Sequence, residues 1–449
     1  MEFNLTDLQA LLPMLIVTIT AFVVIIIEAA IRKSSGISYR LSIIGLFVSI
    51  GFLVESLPLR GNAFYQMVTV GGYGNFFSIL FTTAALFTII LSKEYLVKQS
   101  VHYGEYYALI LLATVGMMLM ASAADLIIIF LGLELMSVCL YILAGFMRKR
   151  VKSNEAALKY FLLGAFATGF LLYGMALIYG VTSTTNIATI VKDSSTYSTL
   201  PLFWIGMGLM MIGFAFKVAA VPFHMWVPDV YEGAPTTVTA FMSTGAKAAA
   251  FAALVLIYSH HFVGGEKLKD AFALLASSSM VIGNIIAISQ TNIKRMLAYS
   301  SIAHAGYLLV GLASANEIGR SGILFYLSAY TFMNLGAFGI ISIIERKEEK
   351  NLTFEDYAGL SNSHPLLAAL MAIFMFSLTG IPPFAGFFGK YYIFAAAISA
   401  HLTWLVVVGV LMSVVSAYYY LRLVVVMYFK ESQLQLDANT STINKYVLF

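Results

Sequence analysis

The chain has 449 residues, of which 60% are hydrophobic and 11% are charged, and its mean hydropathy is +0.88. This composition excludes an ordinary soluble domain and indicates an integral membrane protein in contact with the lipid bilayer. The single cysteine, Cys139, excludes disulfides, cysteine-ligated iron–sulfur clusters and multi-cysteine zinc sites within the chain. The net charge is only +4, and no basic patch with interleaved aromatic residues lies outside the apolar segments, so nucleic acid is not an expected partner.

Apolar stretches long enough to cross a bilayer recur along almost the whole sequence, with no long polar segment between them. We therefore expect one transmembrane domain over residues 1–449. The first stretch is too long for a signal-peptide core and lacks a basic leader, which predicts a retained helix. The thirteen predicted spans lie near residues 9–31, 40–57, 75–96, 104–121, 124–147, 155–180, 201–226, 235–260, 270–289, 298–314, 321–344, 364–399 and 402–429.

The basic residues are distributed unevenly between the connections. Most of them follow odd-numbered spans, and examples are Arg148, Lys149 and Arg150 after the fifth span and Arg346 after the eleventh. The positive-inside rule then places the odd connections in the cytoplasm and the amino terminus outside. A new apolar run at 443–449 predicts the start of a fourteenth span that is cut short.

Two predicted spans contain proline in positions that interrupt a helix. Pro222 lies in span 201–226, and the sequence Gly380–Ile–Pro–Pro lies in span 364–399. Proline has no N–H and clashes with the carbonyl four residues earlier, so both helices should break. Broken helices at membrane depth are tolerated only where protein or water satisfies the free backbone groups. Paired breaks in two halves of a chain are typical of transporters.

Four charged side chains lie deep inside the apolar segments: Glu134, Lys217, Lys247 and Lys390. Each costs roughly 2.5–3.5 kcal/mol at the centre of a membrane, so together they oppose insertion by roughly 10 kcal/mol before any pairing. This pattern indicates transfer of protons or ions through the membrane. No phosphate loop, catalytic triad, haem-binding histidine pair or zinc motif is evident.

Glu134 and Lys217 can form an ion pair, which would keep both side chains charged. Burial disfavours the ammonium and a nearby carboxylate favours it, so making and breaking the pair would load and unload a proton. The alternative for Glu134 is a protonated acid, or one that only holds helices together. Lys217, Val221 and His224 follow one helical stripe, with spacings of four and three, which makes His224 a relay candidate. The alternative for His224 is a hydrogen bond to a backbone carbonyl at the break.

The other candidates differ in their surroundings. Lys247 is flanked by glycine and alanine and has no carboxylate within one turn, as expected of a central relay group. Lys390 follows the second break, and its alternative is snorkelling to lipid headgroups. Lys159 lies one turn after Glu155, so an ordinary i,i+4 ion pair explains it at least as well as a relay. His304 is a further relay candidate because it lies within a predicted span.

Several motifs resemble the antiporter-like, N-type membrane subunits of proton-pumping NADH:quinone oxidoreductase, respiratory complex I. The most specific is HMWVPDVYEGAPTTVTAFMSTGAKAAAF at 224–251, where L- and M-type subunits and Mrp-type Na⁺/H⁺ antiporter subunits usually read more like WLPDA followed by EAP. LGLELMS, FKVAAVPFHMW, QTNIKRMLAYSSIAHAGY and GIPPFAGFFGKYYIF fit the same family, so the resemblance covers nearly the whole chain.

The resemblance implies an all-α, antiporter-like fold of fourteen helices with two inverted five-helix repeats and broken helices. Here it predicts amino-terminal helices over 1–103, a first repeat over 104–260, a second repeat over 270–429 and the start of a truncated last helix at 443–449. It assigns Glu134 and Lys217 to a charge pair, Lys247 to the central relay and Lys390 to the distal half-channel. His224 and His304 match relay positions less closely.

The resemblance also implies the setting in which the chain works. We expect a proton-translocating subunit without a cofactor of its own, in a complex whose other subunits hold FMN, iron–sulfur clusters and quinone. The expected partners are other membrane-arm subunits, including the M-type antiporter-like subunit and the small K- and J-type subunits. The expected location is a bacterial inner membrane. The alternatives are an Mrp-type Na⁺/H⁺ antiporter subunit and a subunit that only anchors others.

Overall fold

The computed structural model describes residues 5–31, 34–101, 103–259, 265–346 and 352–431, and this part of the chain is almost entirely helical. The helices in the first half are α1 (Leu5–Ala30), α2 (Ser35–Glu55), α3 (Gly72–Lys98), α4 (Glu105–Ser122), α5 (Leu126–Ala144), α6 (Val151–Thr182), α7 (Ile187–Lys192), α8 (Ser194–Tyr197), α9 (Pro201–Val218) and α10 (Val227–Gly233). A short antiparallel hairpin, β1 (Gly61–Ala63) and β2 (Val68–Val70), joins α2 to α3.

The second half begins with a helix that changes its winding. The segment from Thr236 to Tyr258 consists of α11 (Thr236–Phe241), a π-helical turn (Met242–Ala246) and α12 (Lys247–Tyr258). The remaining helices are α13 (Glu266–Ile288), α14 (Ile293–Ser314), α15 (Glu317–Ile344), α16 (Leu360–Ser363), α17 (Pro365–Thr379), α18 (Ala385–Ser399) and α19 (Thr403–Phe429), with a 3₁₀ turn at Glu355–Tyr357.

The helices agree closely with the predicted spans. Within the described part of the chain, twelve helical segments are long and apolar enough to cross a membrane. The predicted span 364–399 is divided instead into α17 and α18, with Gly380 to Phe384 between them. The predicted run at 443–449 lies outside the described residues.

Both predicted helix breaks are present. Helix α9 ends at Val218, and Ala219 has a positive φ of 65°. Helix α17 ends at Thr379, and Gly380 has a positive φ of 91°, a conformation that glycine adopts without steric cost. The broken segments end in the left-handed conformation that commonly terminates helices, so the chain turns within the bundle instead of continuing straight.

Contacts between connections fall into two groups. At one end of the bundle, the β1–β2 hairpin lies against the α4–α5 connection through the bridge Val68–Ala123, and Asp125 bridges Asn186. All of these connections follow even-numbered predicted spans. The side chain of Asn316 likewise donates to Ser399 Oγ, which joins two further even-numbered connections.

The other end contains the connections that follow odd-numbered spans. The contact between Arg150 and Glu345 joins the connections after the fifth and eleventh spans. The contact between Arg295 and Asp229 joins the connections after the ninth and seventh spans. In these contacts, odd connections meet only odd ones and even connections meet only even ones. The connections therefore alternate between the two ends of the bundle, as expected if each predicted span crosses the membrane once. We refer to this end as the basic end, because the basic connections lie there.

Helices α14, α15 and the α11–α12 segment form the centre of the bundle, and nearly all of their residues are buried. Helices α1, α2, α6 and α19 expose wide apolar faces, as expected of helices that contact lipid or other membrane subunits. Glycine permits close approach between several of these helices. In α4 a Cβ on Gly116 would lie 2.5 Å from the carbonyl oxygen of Gly132 in α5.

Replacing Gly116 by valine should therefore force α4 and α5 apart. We expect a loss of stability of about 1–3 kcal/mol, the usual range for overpacking. The matched control is Gly180→Val in α6, where a Cβ would meet no atom within 4 Å. The measurement is the thermal unfolding midpoint in purified membranes. An equal effect of the two substitutions would contradict close packing at Gly116.

Candidate functional site

Lys217 lies in the last turn of α9, directly before the first helix break. Its side chain is buried, and its Nζ donates to Ser137 Oγ at 2.7 Å and to Tyr141 Oη at 3.2 Å. Both acceptors lie on α5, one and two turns after Glu134. The ammonium is therefore held against α5 by hydroxyl groups, and it also lies 5.5 Å from the Tyr141 ring centre.

Glu134 does not form the predicted ion pair with Lys217. Its carboxylate accepts a hydrogen bond from Thr168 Oγ1 on α6 at 2.9 Å, and no ion pair joins the two residues in this structure. The expectation of a direct pair was wrong for this conformation, because Ser137 and Tyr141 offer closer partners to the ammonium. Ser137 and Tyr141, which bind the ammonium, share one face of α5 with Glu134, so Lys217 lies against that face although it does not pair with the carboxylate.

Lys247 is the first residue of α12 and follows the π-helical turn. A π-helical turn inserts an extra residue per turn and is frequent at functional sites. The buried Nζ donates to the carbonyl oxygen of Ser301 at 2.6 Å and to its Oγ, both on α14. It also lies 5.9 Å from the ring centre of Tyr330.

Helix α14 presents a polar stripe to this centre. Ser300 and Ser301 lie four and three residues before His304, and Tyr307 lies three residues after it, so all four lie along one side of the helix. The whole helix is enclosed by its neighbours. The stripe gives α14 contacts with the lysines of both halves of the chain.

His304 belongs to this stripe, and its surroundings connect it to both Lys247 on α12 and Lys390 on α18. Its imidazole forms hydrogen bonds with Tyr326 Oη at 2.7 Å and Tyr420 Oη at 3.1 Å, and it is buried. The Tyr330 ring, which lies near Lys247, is 5.0 Å from the imidazole. The Tyr307 ring, which lies near Lys390, is 5.7 Å from it. His304 therefore shares one aromatic neighbour with each lysine.

Lys390 lies on α18, after the second break. Its buried Nζ donates to the carbonyl oxygen of Thr379 at 2.8 Å, to that of Leu378 at 3.3 Å and to Ser413 Oγ at 2.8 Å. The two carbonyls belong to the last turn of α17, where they have no partner within the helix and carry the negative end of the helix dipole. This inward contact excludes snorkelling of Lys390 in this structure. The helix break itself provides the lysine's acceptors.

His224 does not share a helical stripe with Lys217. That expectation was wrong because α9 ends at Val218, so the spacing of seven residues crosses a turn and not two turns of helix. The imidazole is buried, and its Nδ1 has no hydrogen-bond partner among the described residues. Its position near the break agrees with the prediction. Its contacts do not join it to the three buried relay candidates Lys217, Lys247 and Lys390, which we call the lysine row.

Lys159 belongs to a cluster of charges at the basic end. Its Nζ lies 2.6 Å from Glu155 and 2.6 Å from Asp229, so the predicted i,i+4 pair is present together with a second, unpredicted one. Arg295 lies 2.7 Å from Asp229 and 3.0 Å from Glu232. The cluster joins α6, α10 and α14 across the two halves of the chain.

The Asp229 carboxylate has two cationic partners. Partial burial opposes its ionisation, but hydrogen bonds from Lys159 and Arg295 outweigh that effect and hold the pKa of Asp229 below its usual range. The same balance of burial against hydrogen bonds, here from Lys152 and Arg295, lowers the pKa of Glu232. Both acids are therefore charged over the whole neutral range.

Sequence reasoning did not identify the hydroxyl and aromatic partners of Glu134, His304 and the lysines. A polar stripe within an otherwise apolar helix, as in SSIAHAGY, is the one signal that could have found part of this set. The remaining partners come from distant helices and carry no local pattern: Ser137, Tyr141, Thr168, Tyr326, Tyr330, Ser413 and Tyr420.

The fold and this buried row of ionisable side chains define a polytopic membrane protein of the antiporter-like class. Residues 123–416 match the family model described as NADH:quinone oxidoreductase/Mrp antiporter, TM. The chain is 50% identical to NADH-quinone oxidoreductase subunit N of Trichlorobacter lovleyi, over 97% of this chain and 90% of that protein. It belongs to the subunit N family of NADH-quinone oxidoreductase.

Solved structures agree with this fold. A chain of respiratory complex I from Thermus thermophilus is 34% identical and superposes with a TM-score of 0.85, covering 97% of this chain and 94% of the other. A chain of the Mrp complex from Dietzia sp. has the same fold, with a TM-score of 0.85 at 23% identity, and covers 95% of this chain and 81% of the other.

The Asp229 cluster predicts a pH-dependent contribution to stability. Because the pKa of Asp229 is lowered on folding, its ion pairs stabilise the protein above the unfolded value of about 3.8 and are lost as the pH falls through the folded value. Asp229→Asn should lower stability by about 1 kcal/mol or less at neutral pH, since the site is partly exposed.

The test compares thermal unfolding midpoints of wild type and Asp229→Asn between pH 7 and pH 3. The difference should shrink toward the acid end. Asp270→Asn is the control, because Asp270 is exposed and no hydrogen bond or ion pair of its side chain is found in the described ranges. A pH-independent difference at Asp229 would mean that the carboxylate acts by packing and not by charge.

Proposed function

We propose that the chain is a proton-translocating membrane subunit of NADH-quinone oxidoreductase, and that Lys217, Lys247, His304 and Lys390 carry the protons. The observation that supports this most directly is the position of His304, which shares the Tyr330 ring with Lys247 and the Tyr307 ring with Lys390. A titratable group between two buried ammonium groups supplies the intermediate site that a relay needs.

The contacts of the lysines support a transfer role. No ion pair is recorded for Lys217, Lys247 or Lys390 in the described ranges, and each ammonium is bound by hydroxyl or carbonyl oxygens. Hydroxyl groups can both accept and donate hydrogen bonds, so they can pass a proton onward after the lysine releases it. A permanent carboxylate partner would instead hold the proton on the lysine.

Glu134 and Lys217 bind separate partners in this structure, which supports a switch at the first lysine of the row. When the pair closes, the carboxylate stabilises the charged lysine and favours proton uptake. When it opens to the arrangement seen here, the ammonium is left with neutral partners and its proton can pass toward Lys247. Moving one charge against 100 mV costs about 2.3 kcal/mol, so the redox reaction must supply at least that amount to the switch.

Partner subunits are the proposed source of that energy. FMN, iron–sulfur clusters and quinone would belong to those subunits, and this chain would contribute no redox centre. Glu134 supports contact with a neighbour in the membrane, because it is only partly buried and lies on an α5 face that exposes Leu131, Val138 and Ile142. A carboxylate at that depth needs protein cover. We propose the M-type, K-type and J-type subunits of the membrane arm as candidates for this contact.

The proposed setting follows from the alternation of connections. With the basic end in the cytoplasm of a bacterial cell, the amino terminus faces outward across the inner membrane. Protons would enter near Lys217 and leave past Lys390. The two breaks, each next to a buried lysine, support two inverted repeats over 104–260 and 270–429, with α14 joining their lysines.

Replacement of Lys247 by methionine tests the relay. NADH-driven proton uptake by inverted native membrane vesicles should fall by about tenfold or more, since a positioned acid–base group contributes roughly 10²–10⁴-fold to proton transfer. Lys93→Met is the matched control, because Lys93 is an exposed lysine that lies over the Tyr39 ring. Normal uptake by an assembled Lys247→Met complex would support a subunit that only anchors others.

Sodium dependence separates the proposed function from an Mrp-type Na⁺/H⁺ antiporter subunit. Among the described residues, no group of three or more His, Cys, Asp or Glu side chains could hold a metal ion, and the row itself is cationic. We expect the rate and extent of NADH-driven proton uptake to be the same in sodium-free and sodium-containing buffer. Uptake that requires sodium, or proton release driven by a sodium gradient without NADH, would favour the antiporter.

A further inference from the structure

Glu345 is a buried carboxylate outside the lysine row. It follows the last residue of α15 and has no exposed surface. Its Oε1 accepts from Tyr95 Oη at 3.2 Å and lies 3.7 Å from a guanidinium nitrogen of Arg150. Its other oxygen accepts from the Thr236 hydroxyl. A carboxylate without solvent is retained only where several donors surround it, and here three different segments supply them.

Thr236 is the first residue of α11, the helix that continues through the π-helical turn to Lys247. The first amides of a helix have no partner within the helix, and the amide of Thr236 donates to Tyr95 Oη at 3.2 Å. Both the side chain and the backbone amide of Thr236 therefore connect to the Glu345–Tyr95 pair. The negative charge also lies at the helix end where the helix dipole favours it.

A second charged side chain holds the other side of this junction. Lys294 is buried, and its Nζ donates to the carbonyl oxygen of Ala234 at 2.7 Å. Ala234 directly follows α10, and Pro235 lies between it and Thr236. The junction 234–236 is thus fixed by one acid from the end of α15 and one base from the start of α14.

Arg150, the cationic partner of Glu345, borders an opening at the basic end. A cleft of about 550 Å³ between the α3–α4 and α5–α6 connections is lined by Gln99, Tyr103, Phe146 and Arg150, among others. Arg150 also donates to the side chain of Gln99. The guanidinium therefore lies between the cleft and Glu345, and it connects the surface of the protein to the start of the Lys247 helix.

We propose that Glu345 is a positioning residue for Lys247. It fixes the start of the α11–α12 segment. Because the π-helical turn connects that start to Lys247, fixing the start also fixes the position at which Lys247 contacts Ser301. This inference rests on the proposed role of Lys247 in proton transfer. Glu345 itself contacts no member of the lysine row, so it acts through the helix.

The test uses the intact complex with Glu345→Ala, Thr236→Val and the double variant. Hydrogen exchange of backbone amides in residues 236–246 should become about tenfold faster in each single variant, because a charge-assisted hydrogen bond is lost. NADH-driven proton uptake should fall severalfold in the same samples. The double variant should be no worse than Glu345→Ala alone, because Thr236→Val removes a contact that Glu345→Ala has already removed.

Two further variants make the result specific. Glu345→Gln should recover part of the exchange protection and uptake, since its amide oxygen can still accept from Thr236 but cannot pair with Arg150. Glu355→Gln is the control, because Glu355 is an exposed acid ten residues further on that pairs with Lys430. If Glu345→Ala does not assemble, Thr236→Val and Glu345→Gln test the same contact.

Unchanged exchange in residues 236–246, or additive effects in the double variant, would overturn the proposal. Faster exchange with normal uptake would also overturn it, because the contact would then not serve proton transfer. Lys247→Met in the same assay separates this failure from failure of the proposed function. If Lys247→Met lowers uptake while the Glu345 variants do not, only the positioning role is lost.

Discussion

The constraint on which this structure depends is the placement of ammonium groups inside a membrane protein. Lys217, Lys247 and Lys390 must each replace hydration with protein oxygens, and each of these lysines lies beside an interruption of helical geometry. Lys217 lies at the end of α9, Lys247 at the end of a π-helical turn, and Lys390 opposite the last carbonyls of α17. At Lys390 the break itself supplies acceptor oxygens, whereas Lys217 and Lys247 are bound by oxygens of the neighbouring helices α5 and α14. The interruptions also give the backbone of the bundle its irregular centre.

Helix α14 connects the sites of Lys247 and Lys390. Its serine, histidine and tyrosine side chains lie along one side and contact Lys247, Tyr420 and Lys390. The neighbours of His304 are mostly aromatic, so the centre of the protein combines apolar packing with a few oriented hydroxyl groups. Such a network is held firmly because unsatisfied polar groups at this depth are costly. The basic end adds ion pairs that fix α6, α10 and α14 relative to one another.

The membrane spans, the two breaks and the buried charges follow from the sequence because hydropathy, proline and charge are local properties. The partners of those charges do not, since Ser137, Ser301 and Ser413 lie 80, 54 and 23 residues from the lysines they contact. The two wrong expectations have the same origin. The expected stripe from Lys217 to His224 required a helix that continues past Val218. The expected Glu134–Lys217 pair required the ammonium to bind the carboxylate in preference to nearby hydroxyl groups. Glu345 was missed because a glutamate at a span end has an ordinary explanation in solvent, and only the tertiary structure removes that solvent.

The central claim is that the buried lysine row carries protons whose movement is coupled to NADH oxidation. The most direct test is Lys217→Ala in inverted native membrane vesicles, with NADH-driven proton uptake and NADH oxidation recorded on the same sample and assembly of the complex verified. We predict that both rates fall together, because a coupled pump cannot oxidise NADH at full rate when its proton path is blocked. Wild-type rates of both processes in the assembled variant would contradict the account, since Lys217 would then be structural.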